Sequence, residues 1–418
     1  MELFYNLIII IFMLFSLPLY LFKGKFHRGF IRRFGIIPKE MKFNRPIWVH
    51  AVSVGEAIVM RGLIEELRRI YPLKNFVIST VTPTGNKIAC SMARESDFVT
   101  YLPFDLSFIT EKVIRKVKPS IFIIAETEIW PNLINTLYKA KIPVAILNAR
   151  ISDASFMGYK RIKYLIKPVL GKVAIFCTQS QRDASRLISL GAIPEKIEVT
   201  GNMKFDQIQG LSYGIKECKS RLGLKEEECL LVAGSTHQQE EDVVLSAYSK
   251  LLKVLPGLRL LLAPRHPERA ESVCNLIKRL GFSPQRISSY SPDMITKNTV
   301  FVLDTVGDLS KFYLAADIVF VGGSLVRKGG HNILEPASLG KPVIFGPHMF
   351  NFRDIASEFL NTKAAIQIFN QDDLIFRIRE LLEDKTKREK LAGNAREVIL
   401  RNQGATKRNT SLLGKLIV

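Results

Sequence analysis

The sequence predicts an α/β protein: two doubly wound, parallel-sheet domains carried behind an apolar amino-terminal helix. Three observations lead there. Short apolar runs alternate with amphipathic stretches along nearly the whole chain, the rhythm of strand–helix–strand units. That rhythm lapses once, around Ile208–Tyr213, and resumes near Cys229. And 418 residues are too many for one ordinary domain but suit two. The expected division is an anchor over 1–22, a first domain over 23–212 and a second over 213–418.

The amino terminus comes first in the chain. Leu3 to Phe22 carries no charge, and an apolar helix of about 20 residues matches a hydrocarbon core of about 30 Å. A cleaved signal peptide fits less well, because Met1-Glu2 is not basic and no small-residue cleavage site follows. Lys23, Lys25, Arg28, Arg32 and Arg33 come next, and such an excess of positive charge stays cytoplasmic. The expectation is a single membrane anchor with the body on the cytoplasmic side; a helix lying in the interface is the other reading. The formal net charge of +21 calls for an acidic partner, either nucleic acid or an anionic membrane surface. Basic residues from Lys23 to Arg45 are interleaved with Phe26, Phe30, Phe34, Ile36 and Ile37, a pattern that favours the bilayer. No nucleic-acid-binding motif appears, so no nucleic-acid partner is expected.

Five scattered cysteines form no C-x-x-C pair and six histidines no H-E-x-x-H, so neither a disulfide framework nor a metal site is expected.

In the first domain, strands are predicted at Ile47–Ala51, Phe76–Thr80, Phe98–Leu102, Ser120–Ala125, Val144–Leu147 and Ala174–Cys177, with amphipathic helices between them. Ligands of such sheets bind beyond the carboxyl ends of strands, so the loops after strands are where chemistry is sought. No G-x-G-x-x-G follows the first strand, which argues against a dinucleotide cofactor. Three loops carry unusual polar groups. His50-Ala-Val-Ser-Val-Gly-Glu56 puts Glu56 at a helix start, where a carboxylate is either a helix-dipole partner or a reactive group. Ala125-Glu-Thr-Glu-Ile-Trp-Pro-Asn132 puts Glu126 and Glu128 two apart and expected to point oppositely, before a helix they could simply cap. Gly201-Asn-Met-Lys-Phe-Asp206 places Lys204 either at a cleft edge or in solvent.

The second domain has strands at Leu230–Ala233, Leu258–Ala263, Thr299–Leu303, Ile318–Val321 and Val343–Phe345. Polar loops follow: Gly234-Ser-Thr-His237, Pro264-Arg-His-Pro267 and Asp304-Thr-Val-Gly-Asp308. Arg265 offers a fixed fork of donors to a phosphate, or a surface ion pair to Glu268. The stretch Val319–Pro347 reads as strand, glycine-rich turn, short helix from about Asn332, and strand. Gly329 and Gly330 allow positive φ and close approach of a ligand, and Glu335 in the first helical turn could accept from ribose hydroxyls.

Two such domains with a nucleotide site in the second resemble the GT-B glycosyltransferase plan, two Rossmann-like domains facing across a cleft. The motifs H-A-V-S-V-G-E, A-E-T-E-I-W-P-N-L, G-N-M-K-F-D, G-S-T-H, A-P-R-H-P-E-R, D-T-V-G-D-L and G-G-H-N-I-L-E-P-A together resemble the Kdo transferase family, in its motif order and over essentially the whole chain. Those enzymes move 3-deoxy-D-manno-octulosonic acid (Kdo) from CMP-Kdo to the lipid A precursor, lipid IVA, at the bacterial inner membrane.

The resemblance implies Glu56 as general base, with Glu126 and Lys204 supporting the transition state. It implies CMP binding by Pro264 and Arg265, by Val306, Gly307 and Asp308, and by Asn332, Ile333, Leu334 and Glu335. Asp308 stands where the family usually has Glu. It further implies an inverting, metal-independent transferase with no cofactor beyond its donor. Three readings stay open beside it: a GT-B transferase using a UDP-sugar, a nucleotide-sugar epimerase, and a tethered binding protein without catalysis.

Overall fold

A computed structural model describes residues 2–22, 29–38, 40–206, 219, 222–290 and 295–417, with the side chains of 16–22 excepted. The chain forms two compact units, one of Met1–Gln207 with Asn402–Val418, the other of Ile208–Arg401.

The first unit is built on a seven-stranded parallel sheet: β1 (Ile47–His50), β2 (Phe76–Thr80), β3 (Phe98–Tyr101), β4 (Ile121–Ala125), β5 (Val144–Ala149), β6 (Ile175–Thr178) and β7 (Ile197–Val199), in the order β3-β2-β1-β4-β5-β6-β7. Every residue of β1, β2, β4 and β5 is buried, as strands covered by helices on both faces require. The strand order reverses between β1 and β4, which pair in parallel with His50 opposite Ile124. Their carboxyl ends are therefore neighbours, and the loops bearing Glu56 and Glu126 leave the sheet side by side at the topological switch point.

The second unit repeats the plan with β8 (Cys229–Thr236), β9 (Leu258–Pro264), β10 (Ser283–Arg286), β11 (Thr299–Val302), β12 (Ile318–Val321), β13 (Val343–Phe345) and β14 (Ile366–Gln367), ordered β10-β11-β9-β8-β12-β13-β14. Its reversal lies between β8 and β12, with Gly234 opposite Val321. The loops after these two strands hold His237 and the glycine-rich turn. Edge strand β10, S-P-Q-R, has no apolar pattern to betray it; Pro284 is tolerated because an edge strand leaves one row of donors unpaired.

Two expectations change. The carboxyl terminus does not stay in the second unit: the helix Ala405–Gly414 packs with the first, and Ala405, Leu413 and Ile417 join its core beside Val59, Leu63 and Leu67. The membrane-spanning anchor over Leu3–Phe22 is also not found: among the described residues no helix is long and apolar enough to cross a membrane. A helix Glu2–Phe22 does form, but its first turns are tied to the first unit. The Tyr5 hydroxyl donates to Asp105 (3.1 Å), Asn6 accepts from the Ser107 N–H (3.1 Å) and the Asn132 side chain (2.7 Å), and Glu2 pairs with Lys139 (3.1 Å). Asp105 in turn accepts from the N–H groups of Asn132 and Leu133, capping the helix Pro131–Lys139. This face of the helix therefore packs on protein and not on lipid. The opposite side of the helix is bare, with Leu3, Phe4, Phe12, Leu14 and Phe15 exposed.

Of the basic stretch, Lys23, Lys25, Arg28 and Lys39 lie outside the described residues. Arg32 and Arg33 donate to the carbonyls of Val99 and Leu102, and Phe30 and Phe34 pack edge-on against Phe104.

The carboxyl-terminal return hangs on Asp206, whose two oxygens accept from the N–H groups of Gly404 and Thr406 (both 2.6 Å) at the start of the last helix. Asp206→Ala removes that cap and is expected to cost about 0.5–2 kcal/mol, measured by denaturant unfolding, with earlier proteolytic loss of residues 402–418.

Candidate active site

At the first switch point the sequence builds a carboxylate cluster. Ser53 caps the helix Val54–Ile70, and Ser-Val-Gly-Glu is a capping box. Glu56 Oε1 accepts from the Ser53 hydroxyl (2.8 Å) and Oε2 from the Val52 N–H (2.7 Å). Both oxygens are thus aimed back at the strand end. Glu126 leaves β4 with φ +56°, a left-handed conformation that is costly for a residue with a side chain and characteristic of functional turns. Lys204, on the short turn Met203–Asp206, reaches Glu126 with Nζ 3.7 Å from Oε1. That turn is pinned by the buried Asn148, whose Oδ1 accepts from the Met203 N–H (2.9 Å).

Charge then divides the carboxylates. Burial pushes Glu128 up to about 7, with the charges of Glu56 and Glu126 adding to it. Glu56 is also raised, mainly by burial and next by Glu126, against the Val52 N–H, the Ser53 hydroxyl and Lys204. Strand β4 ends at Ala125, and Glu126 follows it in the left-handed conformation. Glu128 is the residue that sequence reasoning left without a role, and a carboxyl near 7 is poised for proton transfer. His50, first residue of its motif, is no base: burial holds it down near 3, and its Nδ1 is bonded to Ser79.

In the second unit the implied nucleotide segments are gathered by local contacts. Arg265 is exposed, and its N–H donates to the Thr236 carbonyl (2.9 Å). The neighbouring Arg269, not Arg265, takes up a carboxylate, with two bonds to Glu241 (2.8 and 3.1 Å). Gly307 has φ +91°, Val306 is exposed, and Asp308 opens the helix Leu309–Ala315 while pairing with Lys311 (2.6 Å). Ser310 on that helix donates to Glu335, joining the two segments. Ile333 and Leu334 are buried, so they offer a ligand only backbone. The helix after the glycine turn is short, Leu334–Ser338, with the Leu334 N–H donating to Asn332 Oδ1 (3.1 Å).

The two glycines behave differently from expectation. Gly329 and Gly330 have φ +96° and +72°, but a Cβ there would strike Asn351 and Phe350, and Met349. They make room for their own chain.

With this geometry in place the chain can be set beside known proteins. Residues 28–207 match the family described as 3-deoxy-D-manno-octulosonic-acid transferase (kdotransferase), and residues 217–398 match glycosyl transferases group 1. A 3-deoxy-D-manno-octulosonic acid transferase from Haemophilus influenzae is 37% identical over 369 residues, covering 88% of this chain and 86% of that one. The chain belongs to the Kdo transferase family. It is a glycosyltransferase. Another member, from Rickettsia felis, is 32% identical and covers 83% of this chain and 74% of that one. A solved UDP-N-acetylglucosamine 2-epimerase from Listeria monocytogenes, described as putative, covers 88% of this chain and 96% of its own, with TM-score 0.59 at 14% identity. That likeness is one of fold, two Rossmann-like units as in GT-B enzymes.

Glu128 carries a sign that can be checked. A carboxyl raised from an ordinary 4.5 to about 7 destabilises the fold increasingly as pH rises from 4.5 through 7, because the unfolded chain gives up that proton first. Glu128→Gln is therefore expected to raise the melting temperature at pH 8 and leave it unchanged near pH 4. Equal effects at both pH values would mean that Glu128 titrates normally.

Proposed function

We propose that this Kdo transferase moves Kdo from CMP-Kdo to a sugar hydroxyl of the lipid A precursor, lipid IVA, in lipopolysaccharide biosynthesis. The observation that carries the reading is the convergence of Glu56, Glu126, Glu128 and Lys204 at the switch point of the first unit, in a chain of this family. A sugar hydroxyl is a weak nucleophile and needs its proton removed as it attacks. In this reading the Glu56 carboxylate accepts that proton while the new C–O bond forms. The bond between the Kdo anomeric carbon and the phosphate oxygen breaks from the opposite face, and CMP leaves with the electron pair. Inversion follows from a single displacement. Lys204 and Glu126 orient the acceptor, and Glu128, protonated near neutrality, keeps the cluster from carrying three full negative charges.

The donor is assigned to the second unit: Arg265 to the phosphate, Glu335 to the ribose, and the backbone of Val306–Asp308 and Asn332–Leu334 to the remaining edges. The charge on the departing phosphate is met by fixed protein donors, so no metal is given a part.

The acceptor is a lipid, and the bare apolar side of the helix Glu2–Phe22 is assigned to the bilayer, with the following basic stretch on its anionic surface. In this reading the enzyme works at the cytoplasmic side of the inner membrane. Because Tyr5 and Asn6 are held by the protein, an interfacial helix suits the contacts better than a span.

The test is transfer from radiolabelled CMP-Kdo to lipid IVA by the full chain in detergent, beside radiolabelled UDP-N-acetylglucosamine with the same acceptor. Labelled Kdo-lipid is the expected product. Product from the UDP-sugar alone would overturn the assignment.

A further inference from the structure

His237 and His331 take no part in the reading above, yet they meet at the second switch point. His237 follows β8, and His331 follows the glycine turn after β12. Their imidazoles are nearly parallel, 10° apart with centroids at 5.2 Å, and their Nε2 atoms are 2.9 Å apart. Gly323, at φ +68°, seats the pair: a Cβ there would lie 2.8 Å from the His331 ring. His266 stands edge-on to His237, ring centroids 6.1 Å apart.

Four backbone donors at this turn are already used. Fully buried Glu240 accepts from the N–H groups of His237 (2.9 Å), Gly323 (2.7 Å), Ser324 (3.0 Å) and Leu325 (2.9 Å). An oxyanion finds no backbone donor at those four positions, and the half-buried imidazoles beside Arg265 offer side-chain donors there.

Building on the donor assignment above, we propose that the His237–His331 pair is a proton-accepting receptor for the phosphate of the cytidine donor, so that donor binding brings one proton onto the pair. A bond between two Nε2 atoms needs one protonated and one bare nitrogen, so the empty pair is neutral with one ring in each tautomer. One further proton can enter without breaking that bond, on the outer Nδ1 of the donating ring. A second cannot, because two N–H groups would then face each other. The pair therefore has room for one proton.

Its surroundings keep that proton off until an anion comes. Burial and then the charge of Arg265, with His237 and His266 behind it, hold His331 down near 4. Burial, Lys328, His266 and Arg269 lower His237, and only Glu241 opposes them. Glu241 is itself bonded to Arg269 and to the Thr236 hydroxyl, and Glu240 is enclosed by backbone donors. A phosphate set among these groups supplies the missing negative charge and favours the imidazolium.

The probe is the methyl ester of CMP, a diester whose phosphate does not titrate between pH 5 and 9, bound to the full chain in detergent. Calorimetry at pH 7 in two buffers of different ionisation heat counts protons taken up. The expected results are net uptake approaching one proton, and a Kd that falls with pH from 8 to 6, by at most about tenfold per unit. His331→Gln and His237→Gln each abolish the uptake and flatten that slope. Binding without proton uptake, or with a slope unchanged in both variants, overturns the inference and leaves the donor assignment standing. No binding of the diester by the unaltered protein at any of these pH values overturns both.

Discussion

The first unit depends on holding three carboxylates at one set of strand ends. Two like charges about 4 Å apart repel by about 4 kcal/mol at an effective dielectric near 20, so such a cluster persists only with compensation. Here it comes from several directions. The Ser53 hydroxyl and Val52 N–H fix Glu56, Lys204 approaches Glu126, and Glu128 retains a proton close to neutrality. All depend on the parallel sheet, which sets β1 beside β4 and so brings together residues seventy positions apart. Environments that split the pKa values of neighbouring carboxyls are how one site comes to hold both a base and a proton reserve.

The same capping bonds that steady Glu56 also explain its helix start. Structural and chemical roles are compatible at this residue: a carboxylate held by two donors is pre-aimed, and burial opposes the loss of basicity those donors bring. Lys204 and Asp206 show a comparable division within one turn. Lys204 faces the carboxylates, while Asp206, two residues on, clasps the returning carboxyl terminus. In the second unit, Glu240 takes four backbone donors around the glycine turn, those of His237, Gly323, Ser324 and Leu325.

Much of this was legible in the sequence. Apolar runs such as Ile121–Ala125 and Leu258–Ala263 announce buried parallel strands, and the motif loops follow from strand ends. What failed to show has physical reasons. Edge strand β10 lacks an apolar period because only part of it is buried. Glu128 was seen but given no role, because its raised pKa comes from burial and from the charge of Glu56, seventy-two positions away, neither of which its local sequence shows. Gly329 and Gly330 were read as clearance for a ligand, since positive φ can be guessed from a glycine pair but the identity of what crowds it cannot. The apolar run at the amino terminus has a helix's length in sequence, and nothing in its composition reveals that Tyr5 and Asn6 would be spent on contacts with Asp105, Ser107 and Asn132.

The most direct measurement of the central claim is the turnover and melting temperature of one variant, Glu56→Gln, on CMP-Kdo and lipid IVA. The amide keeps the size of the side chain and can still accept from Val52 and Ser53, but it cannot take a proton. General-base catalysis is worth about 10²–10⁴-fold, so turnover is predicted to fall by at least that order with the melting temperature little changed. Near-normal turnover with a lowered melting temperature would contradict the account and leave Glu56 a helix cap alone.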